Sequence, residues 1–230
     1  MKLKVPFRSI SEIESMVFDL LYKYEKHTGG EIRPPIDVDG VAESYLGVDL
    51  EVVDLQELIN IPDVLGAAWF EDNVIRIDST LENKEGRFSF TLAHEIAHWW
   101  IHRPIIEMEK VELPLFPHTK GEAAKPAVVC RSSAGNEPAE WQANQFAGRL
   151  LMPDSFVREA ARQISDKLPI SIKGIETSRK RGEVASGLRR VAGEIASAGK
   201  FTNVSVQAMS IRLTDLKIVV DSDNPQQLLF

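Results

Sequence analysis

Cysteine, long apolar runs and repetition are all scarce in this 230-residue chain. Its one cysteine, Cys130, excludes an internal disulfide and suits a reducing compartment. As a redox-responsive thiol Cys130 is outweighed by the bland reading of an ordinary cysteine. No stretch approaches the roughly 20 apolar residues of a membrane-spanning helix, and the opening MKLKVPFRSISE has no run of signal-peptide length. These absences predict a cytoplasmic protein with no membrane partner. No internal repeat or low-complexity tract is present.

What remains is ordinary for a globular protein: 43% hydrophobic and 27% charged residues. The length allows one sizeable domain, alone or with a small appendage, and a true core. Net charge is −7 but unevenly distributed. Residues 1–154 carry 15 Lys and Arg against 26 Asp and Glu, a net −11, whereas residues 155–230 carry 12 against 8, a net +4. The acidic part suits a basic or neutral protein partner and argues against duplex DNA as its main ligand, because phosphate binding is carried largely by positive charge.

The chemistry concentrates in RFSFTLAHEIAHWWIHR, residues 87–103. It contains His94-Glu95-Ile96-Ala97-His98 in a segment that reads as a buried helix, with Phe88, Leu92, Ile96, Trp99 and Trp100 around it. At about 100° per residue, His94 and His98 lie one turn apart on one face. Two neutral imidazoles so placed can hold a divalent ion such as zinc, with Glu95 beside the water that the ion would carry. Glu95 can take a proton as that water attacks a polarised carbonyl. A pair of core histidines satisfied by backbone or carboxylate is the competing reading, and it leaves Glu95 without a task.

Catalytic zinc takes three protein ligands and keeps a fourth position open. Six residues after His98 stands Pro104, so a third histidine at that spacing is absent. His102 follows one turn beyond His98, in a row with steps of about 6 Å. A row does not converge on one tetrahedral ion, so His102 reads as a support for the ligands, a helix-end cap or a core residue. The better third ligand is Glu140, in a second helix expected from Pro138 to the Met152-Pro153 stop. Asn144 lies one turn on, a polar partner able to orient a ligand, while Trp141, Phe146, Leu150 and Leu151 are expected to bury the rest. Taken alone, Glu140 reads as a solvated Glu in a first helical turn; the need of the ion for a third ligand reverses that.

The two motifs, RFSFTLAHEIAHWWIH at 87–102 and EWQANQFAGRLLMP at 140–153, resemble the ImmA/IrrE metallopeptidases, with a weaker likeness over residues 201–219. The resemblance covers most of the chain. It implies zinc bound by His94, His98 and Glu140, with Glu95 as catalytic base. It also implies a substrate: a DNA-binding repressor, of the helix-turn-helix kind, whose cleavage switches on genes of a mobile element, a stress response or a toxin-antitoxin-like pair. Two features depart from the family pattern. Gln142 stands where many members carry Glu directly before the Ala-Asn pair, and the connection over residues 103–137 is long.

Along the chain, Ser9 and Glu12 form a capping box opening a helix that runs to Gly29-Gly30. Pro34-Pro35 is followed by a short helix from Val38 to Leu46. Residues 48–53, 66–71 and 74–78 read as strands, the last two a hairpin turned at Asp72-Asn73. An antiparallel sheet results, whose edge can pair with an extended substrate. The proline-rich stretch 103–137, broken from Pro104 onward, reads as a long connection with a short strand at Val128–Arg131. It holds two candidates for stabilising an oxyanion, His118 and Arg131, against which the reading as solvated loop residues prevails. Helices are expected at 155–164 and from Val204-Ser205 onward, the latter with Ala208, Met209, Ile211, Arg212, Leu213 and Leu216. Between them, residues 171–200 hold a loose apolar stripe of Ile172, Ile175, Val184, Leu188, Val191 and Ile195. The last helices resemble a helix-turn-helix, although a module that braces the catalytic part is favoured over DNA binding because Arg212 and Lys217 are the only basic residues there.

The fold class is therefore α+β. A mainly helical zincin-like domain over 1–154 carries a small antiparallel sheet, and a helical, helix-turn-helix-like region over 155–230 packs on it. The leading functional expectation is a zinc-dependent endopeptidase acting on a peptide bond of an intracellular protein. Its rival is a transcriptional regulator or toxin-antitoxin component with a structural metal site, closed by a fourth ligand such as Cys130 or His118, and no proteolysis. A small-molecule amidase or aminopeptidase uses the same chemistry.

Overall fold

The computed structural model describes residues 5–112, 126–131 and 137–223. His118 and the Arg131 side chain lie outside the described residues. The described chain forms two compact units, one within Met1–Glu31 and Asp37–Leu150, the other within Ile32–Ile36 and Leu151–Phe230.

The first unit opens with α1 (Ile10–Thr28), whose entry carries the expected capping box. Ser9 Oγ accepts from the Glu12 amide at 3.2 Å, and Glu12 Oε2 accepts from the Ser9 amide at 2.6 Å. Gly29, at φ +70°, closes the helix in the left-handed conformation that glycine adopts without strain. The short α2 (Val38–Gly40) continues into a π-helical turn at Val41–Tyr45. Next come β1 (Asp49–Val53), α3 (Leu55–Ile59), β2 (Val64–Trp69) and β3 (Val74–Asp78). After them, α4 (Glu85–Ala97) passes through a π-helical turn, His98–His102, into α5 (Arg103–Glu112). The unit is completed by β4 (Val128–Arg131) and by α6 (Pro138–Leu151), which ends at its border.

The sheet has the order β1-β3-β2-β4. β2 runs antiparallel to β3 and β4, as a hairpin dictates, but β1 runs parallel to β3. The sheet is thus mixed, not antiparallel. Alternation within a strand specifies its faces, while its neighbour is chosen by long-range packing, so this difference was not readable from the pattern. An irregularity between Val64 and Gly66 brings Val64 to the same side as Ala67 and Trp69. These three pack with Leu55 and Val74 in a core cluster flanked by Val53, Ile59, Ile61 and Val129. Asp78, buried at the end of β3, ties the start of α3 to the sheet by accepting from the Leu55 amide at 3.1 Å.

Two local expectations fail here. Pro104 does not break the chain but sits in the first turn of α5. The preceding π turn, with the Arg103 amide bonded to His98 O, shifts the ladder by one residue just where proline has no N–H to give. Trp141 is 39% exposed and is not part of the core, whereas Phe146, Leu150 and Leu151 are fully buried.

The second unit contains α7 (Asp154–Ile164), β5 (Ile170–Ile172), α8 (Ile175–Lys180), α9 (Ser186–Ala198), α10 (Val206–Asp215) and β6 (Val219–Asp221). The parallel pair β5-β6 was not anticipated, because three-residue strands leave no periodic signal. Asp221, buried at the end of β6, accepts from the Glu176 amide at 2.8 Å and so caps α8. In α10 the roles of two neighbours are reversed: Ile211 is exposed, and Arg212 is buried with its Nε donating to Met152 O at 3.0 Å. Asn203 donates to Ile36 O at 2.9 Å, which fastens the 32–36 segment into this unit. No helix among the described residues is long and apolar enough to cross a membrane.

The Ser9 cap is accessible to a simple test. Ser9→Ala should lower stability by about 1 kcal/mol, the usual worth of an N-cap hydroxyl, seen as a lower thermal midpoint by circular dichroism with the fold retained.

Candidate metal centre

Every residue from Thr91 to Trp99 is buried. A helix enclosed on all sides is a poor place for polar groups unless they find partners. Yet its centre holds His94 (1% exposed), Glu95 (0%) and His98 (0%), with His102 (0%) just beyond. Helical spacing sets the rings of His94 and His98 with centroids 4.8 Å apart and their Nε2 atoms 3.0 Å apart. Glu140, in the first turn of α6, reaches the same point: its Oε2 is 3.2 Å from His94 Nε2 and its Oε1 3.4 Å from His98 Nε2. The three residues expected from sequence to share an ion are therefore brought together, with one donor atom of each within 4.8 Å of the others.

The residues expected to support them also face the site. Asn144 presents Oδ1 to His94 Nδ1 at 3.0 Å. An amide oxygen only accepts, so His94 donates through Nδ1 and is turned with its Nε2 toward His98 and Glu140. His102 does not join the converging group. Its Nδ1 lies 2.9 Å from His98 Nδ1, on the far side of the His98 ring from Glu140.

Gln142 and Gly66 were not singled out as site residues, although each left a signal. Gln142 Oε1 lies 3.1 Å from His102 Nε2, and its Nε2 donates to Pro6 O at 2.8 Å. Gly66 interrupts a strand, which often marks a close backbone approach. A Cβ there would lie 2.7 Å from Thr91 Cγ2 and 2.9 Å from Glu95 Oε1. The bare backbone of β2 thus forms the floor beneath Glu95. Cys130 of β4 falls in a second group with His94 and Glu95, distinct from the His94, His98 and Glu140 set.

The electrostatics follow from enclosure. Burial, and then the charge of Glu140, raise the Glu95 carboxyl well above the ordinary carboxylate range. The backbone amide of Cys130 works weakly the other way without making a hydrogen bond of normal geometry, and neither Glu95 oxygen has one. Burial works to raise the Glu140 carboxyl, but a proton or other positive charge held between it and the His94 and His98 nitrogens outweighs that and keeps the group well below its usual range. His98 is lowered, chiefly by burial, and His102 is lowered to about 3 by burial and the neighbouring His98. Both rings are therefore neutral near pH 7, the form in which imidazole binds a metal. The Cys130 thiol is raised by burial, and then by Glu95 and Glu140, and stays protonated.

This donor set fits a divalent cation. Glu140 Oε2 is buried without a hydrogen-bond partner, and the Nε2 lone pair of His94 points at the same place. Such atoms at 3.0–3.4 Å repel one another unless a positive charge lies among them.

Because Thr91 is β-branched and stiff, Gly66→Ala should force α4 or the Glu95 side chain to shift. Overpacking of this kind costs about 1–3 kcal/mol. The expected result is a lower thermal midpoint together with at least a tenfold loss of any hydrolytic activity; a variant with wild-type stability would show that the helix does not bear on β2.

The sequence matches the family described as the IrrE N-terminal-like domain, Peptidase_M78, over residues 63–214. None of the curated proteins compared with the chain matches it. Since the matched span runs from β2 through the His94 and Glu140 helices into α10, the chain belongs to the ImmA/IrrE family of metallopeptidases.

Proposed function

We propose that this protein is a zinc-dependent endopeptidase that cleaves an intracellular protein, namely a DNA-binding transcriptional repressor. The observation that carries the reading is the meeting of His94, His98 and Glu140 beside a buried Glu95 whose oxygens have no hydrogen bond of normal geometry. Two neutral imidazoles and one carboxylate are the donor set of catalytic zinc in His₂Glu hydrolases. Zinc held there would polarise a carbonyl and make water acidic enough to yield a nucleophile at neutral pH.

The remaining steps belong to the protein. His94 and His98 offer Nε2, and Glu140 supplies the negative charge that balances the site. Asn144 keeps the His94 ring turned toward it. Glu95 accepts the proton of the attacking water at a carboxylate oxygen and then returns it to the departing amine nitrogen. A carboxyl whose proton affinity is raised by burial suits both roles, since it takes the proton readily and holds it until the leaving group forms. The substrate would lie along β4, an edge strand of the sheet whose Cys130 is close to Glu95. Main-chain pairing on such an edge binds an extended segment.

The acidic character of residues 1–154 supports a basic protein as partner, and DNA-binding proteins are of that kind. In the last helix, Arg212 is committed to Met152 O, which removes one of the two basic residues that a DNA-reading role would use. The regulatory alternative, a structural metal site, requires a fourth protein ligand. Among the described residues Cys130 is the candidate, and its grouping with Glu95 rather than with Glu140 counts against it.

Glu95→Gln separates the two readings. The proposed enzyme should lose at least a thousandfold in cleavage of a co-purified repressor, followed by mass spectrometry, while zinc content and fold persist. Full biological effect in that variant would favour the regulatory role.

A further inference from the structure

The polar groups behind His98 are connected in a chain whose polarity is set from one end. The Pro6 carbonyl is an acceptor only, so the Gln142 group 2.8 Å from it is the amide nitrogen. The amide oxygen then faces His102 Nε2 at 3.1 Å, and that nitrogen must donate. A neutral imidazole that donates through Nε2 has a bare Nδ1. His98 Nδ1, 2.9 Å away, must in turn donate to it. His98 Nε2 is left as a bare lone pair, facing Glu140 and His94. Each link in the sequence Pro6, Gln142, His102, His98 has one permitted direction.

We propose that Gln142 and His102 are positioning residues, a relay anchored on the Pro6 carbonyl that fixes His98 in its Nδ1–H tautomer and turns its Nε2 lone pair toward the cation. This rests on reading the site as a metal centre. Metal-binding histidines commonly pass their second N–H to a carboxylate, a carbonyl or water. Here a second histidine takes that place, and an amide ends the chain, so the support is electrically neutral. The four groups come from three elements: Pro6 from the segment before α1, His98 and His102 from the π turn, and Gln142 from α6. The approach to α1 thereby bears on the orientation of a ligand in the centre of the fold. His102 is placed by the π turn, which rotates each residue less than an α turn does and sets the His102 ring behind that of His98, centroids 4.9 Å apart.

The test uses the full chain, 15N-labelled, and two-bond proton–nitrogen spectra of the imidazole rings at neutral pH, with and without Zn²⁺. His102 should be the Nε2–H tautomer in both states. Gln142→Leu removes the acceptor, so His102 should lose that single tautomer and zinc affinity, measured by chelator competition, should fall about 10- to 100-fold. Gln142→Glu returns an acceptor to His102 but no N–H to the Pro6 carbonyl, so it should restore the tautomer and only part of the affinity. A wild-type His102 in the Nδ1–H form overturns the relay without recourse to any variant, and covers the case in which Gln142→Leu does not fold. Unchanged zinc affinity in a folded Gln142→Leu overturns the relay alone. A wild-type protein without affinity for zinc overturns the metal-centre reading beneath it.

Discussion

Three groups that bear lone pairs and repel one another are pressed together in a dry interior, and the rest of the first unit is built to keep them there. His94, His98 and Glu140 approach within 3.0–3.4 Å at a point from which solvent is almost excluded. In water such an arrangement would relax by rotating the side chains apart. Here His94 is held by Asn144 and His98 by His102, and Glu140 starts a helix whose apolar residues Phe146, Leu150 and Leu151 are fully buried. The repulsion is thus maintained by packing. Its natural compensation is a divalent cation, whose binding energy would also stabilise the fold.

Glu95 differs from its neighbours in having no hydrogen-bond partner at all of normal geometry. A buried carboxyl without one is costly, and such a cost persists in functional sites where the group must be free to act. The floor beneath it is equally specific. Gly66 lets α4 approach β2 more closely than any side chain would allow, so Glu95 packs directly on the strand that pairs with the edge strand β4. Separating Glu95 from that edge would require moving a helix that is buried from Thr91 to its end.

Much of this was legible in the residues. The capping box at Ser9 and Glu12, the hairpin at Asp72-Asn73 and the spacing of His94 and His98 act over a few residues, and local rules govern them. The approach of Glu140 to the two histidines was reachable because an ion on them would require a partner that the first helix does not supply. Other features depend on contacts between distant segments and left little trace. The parallel pairing of β1 with β3 is decided by which strands neighbour one another, and the β5-β6 pair is too short for periodicity. The inward turn of Arg212 depends on a carbonyl 60 residues away. The Gln142 amide reads in sequence as a departure from the family pattern; its contacts with His102 and with Pro6 O, 136 positions away in sequence, are ones that no local rule suggests.

The immediate surroundings of a bound cation are the most direct test of this centre. X-ray absorption at the zinc edge of the protein purified with zinc, combined with elemental analysis, measures them directly. One zinc per chain is expected, with two imidazoles and only light oxygen or nitrogen atoms besides. A sulfur neighbour, which would place Cys130 on the ion, or a protein that retains no zinc, would contradict it.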